Sequence, residues 1–239
     1  MSKKYTKEEI TGKCSEAMKD IGNFYKRKFL NYGGKTAKGE LYTEIIAGFI
    51  IEHIEEFRTN IPMITRKDSY NIETHNGDFD NNSRRIEEIT AMKIYKQCNP
   101  NGRNGAKEKL DYIGSVIDYQ TPLKSVKKDK AGKIDLLADD GKQLIILELK
   151  RPDSKETMLR CVMECYTYLK TVNHKDLISS FVKDEKLREN YSVSASPFVF
   201  KDGAQYREMQ EDRPNLKQLM ELLSIKPYYI SEKYYVTED

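Results

Sequence analysis

Histidine, cysteine and long apolar runs are all scarce in this 239-residue sequence. The three histidines, His53, His75 and His174, are scattered, and neither a His-x-x-x-His pair nor a serine elbow is present. These absences argue against a zinc hydrolase and against a serine hydrolase. No apolar run approaches the roughly 20 residues that span a bilayer, and no signal-peptide pattern is seen. We therefore expect a cytoplasmic protein with no membrane partner.

The four cysteines predict reduced thiols rather than a disulfide framework. Cys14, Cys98, Cys161 and Cys165 include no Cys-x-x-Cys pair. Cys161 and Cys165 share one face of a predicted helix, but no histidine or third cysteine is near enough to complete a zinc site. We expect these two thiols to pack in the core.

An excess of one charge sign is also missing. The net charge is +3, with 41 basic and 38 acidic residues. This balance does not by itself indicate a nucleic-acid partner, although basic residues grouped on one face could still bind phosphates. The length fits one large domain, or a core domain with additions.

The most informative stretch is residues 132–151, which contains two apolar runs separated by a turn signal. The runs are residues 134–138 and 144–150, and Asp139-Asp140-Gly141-Lys142 lies between them. Asp-Gly supplies the positive backbone angles of a tight turn, so the pattern predicts a β-hairpin. The second run is nearly all Leu and Ile, which predicts a strand buried on both faces.

Charged residues interrupt this predicted hairpin. Glu148 and Lys150 lie two residues apart and therefore project to the same face of their strand. Asp135, near the start of the paired strand, can meet them. Burying two carboxylates without partners is costly, and a cation would offset the cost.

These residues resemble the PD-(D/E)xK nuclease superfamily. Asp135 is followed by twelve residues and then by Glu148-Leu149-Lys150, and the flanking Gly-Lys-Ile-Asp-Leu-Leu-Ala and Glu-Leu-Lys-Arg resemble archaeal-type endonuclease cores. The resemblance implies an α/β fold in which a restriction endonuclease-like mixed β-sheet is flanked by helices. It also implies a nuclease that hydrolyses phosphodiester bonds, with DNA as the expected substrate and a homodimer as a possible assembly.

The resemblance further implies roles for individual residues. Asp135 and Glu148 would bind Mg²⁺, with Mn²⁺ as a substitute, and the backbone carbonyl of Leu149 would be a third ligand. Glu87 would contribute directly or through water. The ion would activate a water and neutralise the scissile phosphate, and Lys150 would orient or help deprotonate that water.

The helix carboxylate has three candidates. A helix is predicted over residues 84–97 with Ser83 as its N-cap, and the superfamily places a glutamate on such a helix. Glu87 fits best, because it shares a helical face with Ala91. Glu88 is the second candidate, and Glu44 is the third.

The remaining chain predicts a helical addition over residues 1–62, a nuclease-like domain over 63–230 and a loose tail over 231–239. Predicted helices cover residues 7–30, 38–57, 155–172 (capped by Ser154), most of 173–190, and 214–223. Predicted strands cover 112–123, 193–200, 204–209 and 225–230. Residues 124–133 carry five lysines and predict a solvated loop that could contact phosphate.

One pattern of the superfamily is not found. Several branches carry Gln-x-x-x-Tyr on the helix after the hairpin, but the matching positions here are Cys161 and Cys165, or Arg160 and Glu164. Arg160 and Glu164 are equally well explained as a surface ion pair. The alternative function is therefore a catalytically degenerate protein of this fold, which binds nucleic acid or a protein without cleaving it.

Overall fold

The computed structural model describes residues 4–78, 85–124, 132–183, 187 and 190–238. The helices are α1 (Lys7–Ala17), α2 (Tyr42–Glu52), α3 (Ile54–Asn60), α4 (Ile86–Cys98), α5 (Met158–Thr171), α6 (His174–Val182), α7 (Ala204–Met209) and α8 (Pro214–Leu223). The strands are β1 (Ser115–Pro122), β2 (Lys133–Asp139), β3 (Gln143–Lys150), β4 (Ser192–Phe200), β5 (Tyr228–Ile230) and β6 (Val236–Thr237). Two 3₁₀ segments, Met18–Lys26 and Lys28–Asn31, follow α1.

The strands form one mixed sheet in the order β1-β2-β3-β4-β5-β6. β1, β2 and β3 are an antiparallel meander, β3, β4 and β5 are parallel, and β6 is antiparallel to β5. Helices α5 and α6 connect β3 to β4, as parallel neighbours require. The fold is therefore a mixed α/β sheet flanked by helices, as predicted at that level.

The sheet has a buried core on each face. One core contains apolar residues of α1, α2, α5, α8 and the first 3₁₀ segment, and the other contains those of α4. Along β3, Ile146 belongs to the α5 face, whereas Leu147 and Leu149 belong to the α4 face. The N-terminal helices thus share a core with the sheet and with α5.

The predicted hairpin is present with its turn. Gly141 adopts a φ of 95°, and its N–H donates to Asp139 Oδ1 at 2.7 Å. Asp140 Oδ1 accepts the N–H groups of Lys142 and Gln143 at 2.8 and 2.9 Å. These side-chain bonds fix the turn and hold β2 and β3 in register.

The prediction of one long helix over residues 7–30 is wrong. α1 begins with a capping box between Thr6 and Glu9 but ends at Ala17, and Asp20 has a non-helical φ of −140°. After Ala17, apolar residues recur every three positions at Met18, Ile21 and Phe24, a spacing that suits a 3₁₀ helix.

The predicted helix over residues 38–57 begins later and is divided. The Thr36 hydroxyl accepts the N–H groups of Lys38 and Glu40, each at 3.2 Å, which holds residues 36–40 in a turn. His53, with φ −114° and ψ 25°, separates α2 from α3, and its ring bonds the Phe49 carbonyl at 2.9 Å.

Other helices and strands also begin at different residues than predicted. α5 begins at Met158 because Thr157, rather than Ser154, caps it by accepting the Arg160 N–H at 3.2 Å. β1 begins at Ser115, because Tyr112 and Gly114 have positive φ angles in the preceding turn. Ser83 and most of the lysine-rich residues 124–133 lie outside the described residues.

Two C-terminal predictions are wrong. Residues 204–209 form helix α7 instead of a strand, beginning after Gly203 in extended conformation. The expected loose tail contains β6, in which Val236 is 2% exposed and pairs with Ile230. A short strand with one buried residue gives almost no periodic signal in the sequence.

The four cysteines are free and buried, which agrees with the prediction of core thiols. None of the helices in the described part of the chain is long and apolar enough to cross a membrane.

Candidate active site

The end of the β2–β3 hairpin brings three predicted site residues together. Pairing of Leu136 with Leu147 places Asp135 next to Glu148 on the α5 face of the sheet. Asp135 Oδ2 accepts the backbone N–H of Leu149 at 3.0 Å, which fixes the carboxylate against β3. Asp135 and Glu148 are only 8% and 4% exposed.

Lys150 lies among carboxylates from three elements. Its Nζ donates to Glu148 Oε1 at 2.6 Å, as expected for residues two apart on a strand. It also lies 3.2 Å from Glu156 Oε2, 3.9 Å from Glu87 Oε1 and 4.0 Å from Glu164 Oε2. The ammonium group therefore forms the centre of an acidic cluster in which it is itself 5% exposed.

Glu87 is the helix carboxylate that reaches the cluster. It projects from the first turn of α4 toward Lys150, with 41% of its side chain exposed. Glu88 points elsewhere and pairs with Arg85 at 3.3 Å and with Lys133 at 3.9 Å. The structure thus separates two neighbours that the sequence left as alternatives.

Glu44, the third candidate, lies at the start of another helix. Its two carboxylate oxygens accept the N–H groups of Asn215 and Leu216 at 2.8 and 3.1 Å. These are the unpaired first-turn donors of α8, which begins at Pro214. Glu44 is therefore a cap of α8, and in the described part of the chain it is not one of the carboxylates that lie beside Lys150.

Sequence reasoning missed Gln120 of β1. Its amide donates to Asp135 Oδ1 at 2.9 Å, so both oxygens of Asp135 are held by the protein. Gln120 has a φ of 48°, which costs energy for a residue with a Cβ. Nothing in the sequence pattern of β1 signals this conformation.

Sequence reasoning also missed how α5 contributes. Glu164 is 7% exposed, and Tyr168, one turn later, donates its hydroxyl to Glu164 Oε1 at 3.0 Å. Arg160 Nε lies 3.5 Å from Glu164 Oε2, so the proposed surface ion pair is in fact buried. Arg160 and Glu164, a pair considered from the sequence, therefore do meet at this spacing, and so do Glu164 and Tyr168.

Burial makes the ionised carboxylates unfavourable. It raises the pKa of Asp135 from 3.8 to about 7, although Lys150 opposes the change. Burial and then Asp135 raise the pKa of Glu148, and burial raises the pKa of Glu87. Burial alone would lower the pKa of Lys150, but the carboxylates, Glu148 foremost, raise it above its usual value. Five carboxylates thus share two cationic side chains, Lys150 and Arg160.

Two buried oxygens of the cluster, Glu148 Oε2 and Glu156 Oε2, have no hydrogen-bond partner in the described part of the chain. Glu156 Oε2 still lies 3.2 Å from the Lys150 amine, whereas only the other oxygen of Glu148 bonds Lys150. A buried carboxylate oxygen without a partner is unfavourable unless a cation binds it. Carboxylate oxygens are the donors that Mg²⁺ prefers, so Asp135, Glu148 and Glu87 fit this ion by their chemistry. Within the described ranges, however, no three His, Cys, Asp or Glu side chains are already arranged around a metal position.

Comparisons with protein-family models, curated proteins and solved structures found no match to this chain.

Proposed function

We propose that this chain is a metal-dependent nuclease that hydrolyses phosphodiester bonds in DNA. The observation that carries the proposal is the buried end of the β2–β3 hairpin. There Asp135, Glu148 and Lys150 converge, and one Glu148 oxygen has no hydrogen-bond partner among the residues that the structure describes. Excess buried negative charge beside a lysine suits a site that binds a divalent cation and a phosphate group together.

The residues divide into two roles under this proposal. Asp135 and Glu148 would hold Mg²⁺ or Mn²⁺, and the Leu149 carbonyl and Glu87 would be further ligands. The bound ion would supply positive charge beside the phosphate and increase the acidity of a water. Gln120 and the Leu149 N–H keep the Asp135 carboxylate in place through their bonds at 2.9 and 3.0 Å.

Lys150 would act as a cation. The facing carboxylates raise its pKa, so its amine keeps its proton at neutral pH. A protonated amine can orient a water and donate to a phosphate oxygen as negative charge develops there. It is a poor base, so we assign charge stabilisation to Lys150 in preference to removal of a proton.

The alternative is a member of this fold class that binds nucleic acid or a protein without cleavage. The position of Lys150 favours it, because the ammonium already offsets Glu148 at 2.6 Å and Glu156 at 3.2 Å. An internal ion pair of this kind can replace a bound metal. Such a protein would bind DNA equally well with or without Mg²⁺ and would leave it intact.

A cleavage assay separates the two functions. Wild type, Asp135→Asn and Glu148→Gln would be incubated with circular and linear DNA in Mg²⁺, Mn²⁺ or EDTA. We expect metal-dependent cutting by wild type and a loss of about 1000-fold in each variant, because metal binding supplies several kcal/mol of transition-state stabilisation. Asp212→Asn, at an exposed position, is the matched control. Equal cutting by wild type and both site variants would refute the site, and intact DNA bound by wild type would favour the alternative.

Assembly and location are separate parts of the proposal. Chromatography of wild type with and without DNA would test the homodimer. Its free thiols agree with the cytoplasm, which we propose as its location.

A further inference from the structure

Two adjoining depressions lie on the 3₁₀ segment Met18–Lys26. The first, of about 350 Å³, lies between this segment, α5 and the residues that follow β1. The second, of about 600 Å³, lies between the C-terminal part of α1 and the two 3₁₀ segments. Lys26 lines both depressions, and we call the two together the N-terminal groove.

The N-terminal groove reaches the candidate active site through α5. Tyr168 lines the first depression, and its hydroxyl bonds Glu164 at 3.0 Å. Glu164 in turn lies 4.0 Å from the Lys150 amine. Partial burial of its amine lowers the pKa of Lys26, and Glu164 is the strongest influence opposing that change. A polymer bound in the groove would therefore be separated from the acidic cluster by the Tyr168 side chain.

Among the charged residues that line the groove, basic side chains outnumber acidic ones. Its basic side chains are Lys13, Lys19, Lys26, Arg27, Lys28 and Lys124, and its acidic ones are Glu16 and Asp20. Asp20 pairs with Arg27 at 3.3 Å, which neutralises one residue of each sign. Lys19, Lys26 and Lys28 are exposed. This local excess of positive charge contrasts with the nearly balanced chain, whose net charge is +3.

The aromatic residues of the groove indicate which part of a ligand it would contact. Tyr25 and Tyr168 are 3% and 4% exposed, and their rings pack edge to face at 5.7 Å. Lys26 and Arg160 lie over the Tyr25 ring at 5.2 and 5.3 Å. These two rings are already covered, and the half-buried Tyr32 is already stacked on Tyr5 at 5.2 Å, so the three rings are poorly placed to stack on nucleobases as single-strand platforms do. The available contacts are cationic, which suits phosphates.

We propose that the N-terminal groove binds the sugar–phosphate backbone of a polynucleotide strand on one side of the bond to be cleaved. The location of that bond rests on the proposed function, whereas the backbone contact itself does not. The groove combines two depressions that share Lys26, and Tyr168 connects the first of them to the carboxylates through Glu164. A polynucleotide could contact basic residues in both depressions, whereas a free phosphate would contact fewer of them. Contacts to phosphates alone would make binding independent of sequence and sensitive to salt.

The test compares two triple variants of equal charge. The groove variant carries Lys19→Gln, Lys26→Gln and Lys28→Gln. The control variant carries the same change at Lys142, Lys175 and Lys233, three exposed lysines that line neither depression. Circular dichroism and a urea midpoint would first establish that both variants are folded.

Binding would be measured by fluorescence anisotropy in EDTA, where no metal-dependent cutting occurs. The probes are a labelled mixed-sequence single-stranded DNA and its duplex, each over a series of salt concentrations. We expect the groove variant to lose at least tenfold in affinity relative to the control variant. For the single strand, its log Kd against log salt slope should fall by about 2, since each phosphate contact contributes about 0.7. Equal affinity and equal slope in the two variants would overturn the proposal, as would full displacement of DNA by an equal concentration of inorganic phosphate.

The binding and cleavage results together also show whether the groove proposal or the nuclease proposal has failed. If the groove variant binds weakly while wild type cuts no DNA in Mg²⁺, the groove stands and the proposed nuclease fails. If wild type cuts DNA and the two triple variants bind it equally, the nuclease stands and the groove fails.

Discussion

Replacing Asp135 by asparagine is expected to stabilise the metal-free protein at pH 8. The carboxylate is buried, and its pKa is raised from 3.8 to about 7 by that burial. Asparagine has nearly the same shape and remains neutral. Its oxygen can still accept the Leu149 N–H, and the Gln120 amide can turn to offer its oxygen to the new NH₂ group. The substitution therefore removes the charge while keeping both bonds.

The pKa difference sets the sign and the size of the effect. The unfolded chain releases the Asp135 proton near pH 3.8, whereas the folded protein holds it until about pH 7. Between these values the folded state binds more protons, so the free energy of unfolding falls as pH rises. A pKa difference of about 3 corresponds to about 4 kcal/mol, which is the gain that asparagine can recover above pH 7. Near pH 4 the folded wild type is neutral at this position and the unfolded chain is only partly ionised, so the gain should be small.

Urea unfolding in EDTA at pH 4 and pH 8 would measure this effect. We expect a higher free energy of unfolding for Asp135→Asn at pH 8 and a much smaller difference at pH 4. Asp212→Asn, at an exposed position, should change neither value. A variant that is less stable than wild type at pH 8, or equally stabilised at both pH values, would refute the reasoning.

Adding Mg²⁺ gives a second comparison, which depends on the proposed function. A ligand that binds only the folded state stabilises it by about 2.7 kcal/mol at a concentration of 100 times its Kd. We expect this gain in wild type and little of it in Asp135→Asn, so Mg²⁺ should narrow the difference at pH 8. An equal increase in the free energy of unfolding of both proteins would mean that Mg²⁺ binds at a site that does not include Asp135.

Three further substitutions probe other parts of the structure. Glu87→Gln should reduce cleavage less than Glu148→Gln does, because Glu87 is partly exposed and lies 3.9 Å from the Lys150 amine. Steady-state cleavage rates of the two variants would show this order, and an equal loss of rate would contradict the prediction. Glu44→Ala should lower the free energy of unfolding by about 1 kcal/mol through loss of the α8 cap and leave cleavage unchanged. Gly132→Ala should lower the free energy of unfolding by at least about 1 kcal/mol, because φ is +93° and the new Cβ would lie 2.6 Å from the Tyr168 hydroxyl. An unchanged urea midpoint in the Glu44 or Gly132 variant would contradict the corresponding stability prediction.

The hairpin and its charged residues could be predicted because each step is local. Asp140-Gly141 defines the turn, and alternation along β3 places Glu148 and Lys150 on one face whatever packs there. The antiparallel pairing of β2 with β3 then places Asp135 beside Glu148. These rules need no knowledge of the rest of the chain.

The remaining site could not be predicted because it depends on packing between distant elements. Glu164 and Gln120 become site residues only when α5 and β1 lie against β3, and neither has a distinguishing local pattern. The choice between Glu87 and Glu88 likewise depends on the rotation of α4. The 3₁₀ segment is a different case, because a three-residue apolar spacing at Ile21 and Phe24 also satisfies part of a helical pattern.

The pairing of β6 with β5 has a consequence for self-association. β5 is only three residues long, and β6 hydrogen-bonds to its outer edge with Val236 buried beneath it. An uncovered strand edge offers unpaired N–H and C=O groups to any other extended chain. Replacing Val236 by a charged residue would release this cover and favour edge-to-edge aggregation, visible as light scattering that rises with protein concentration.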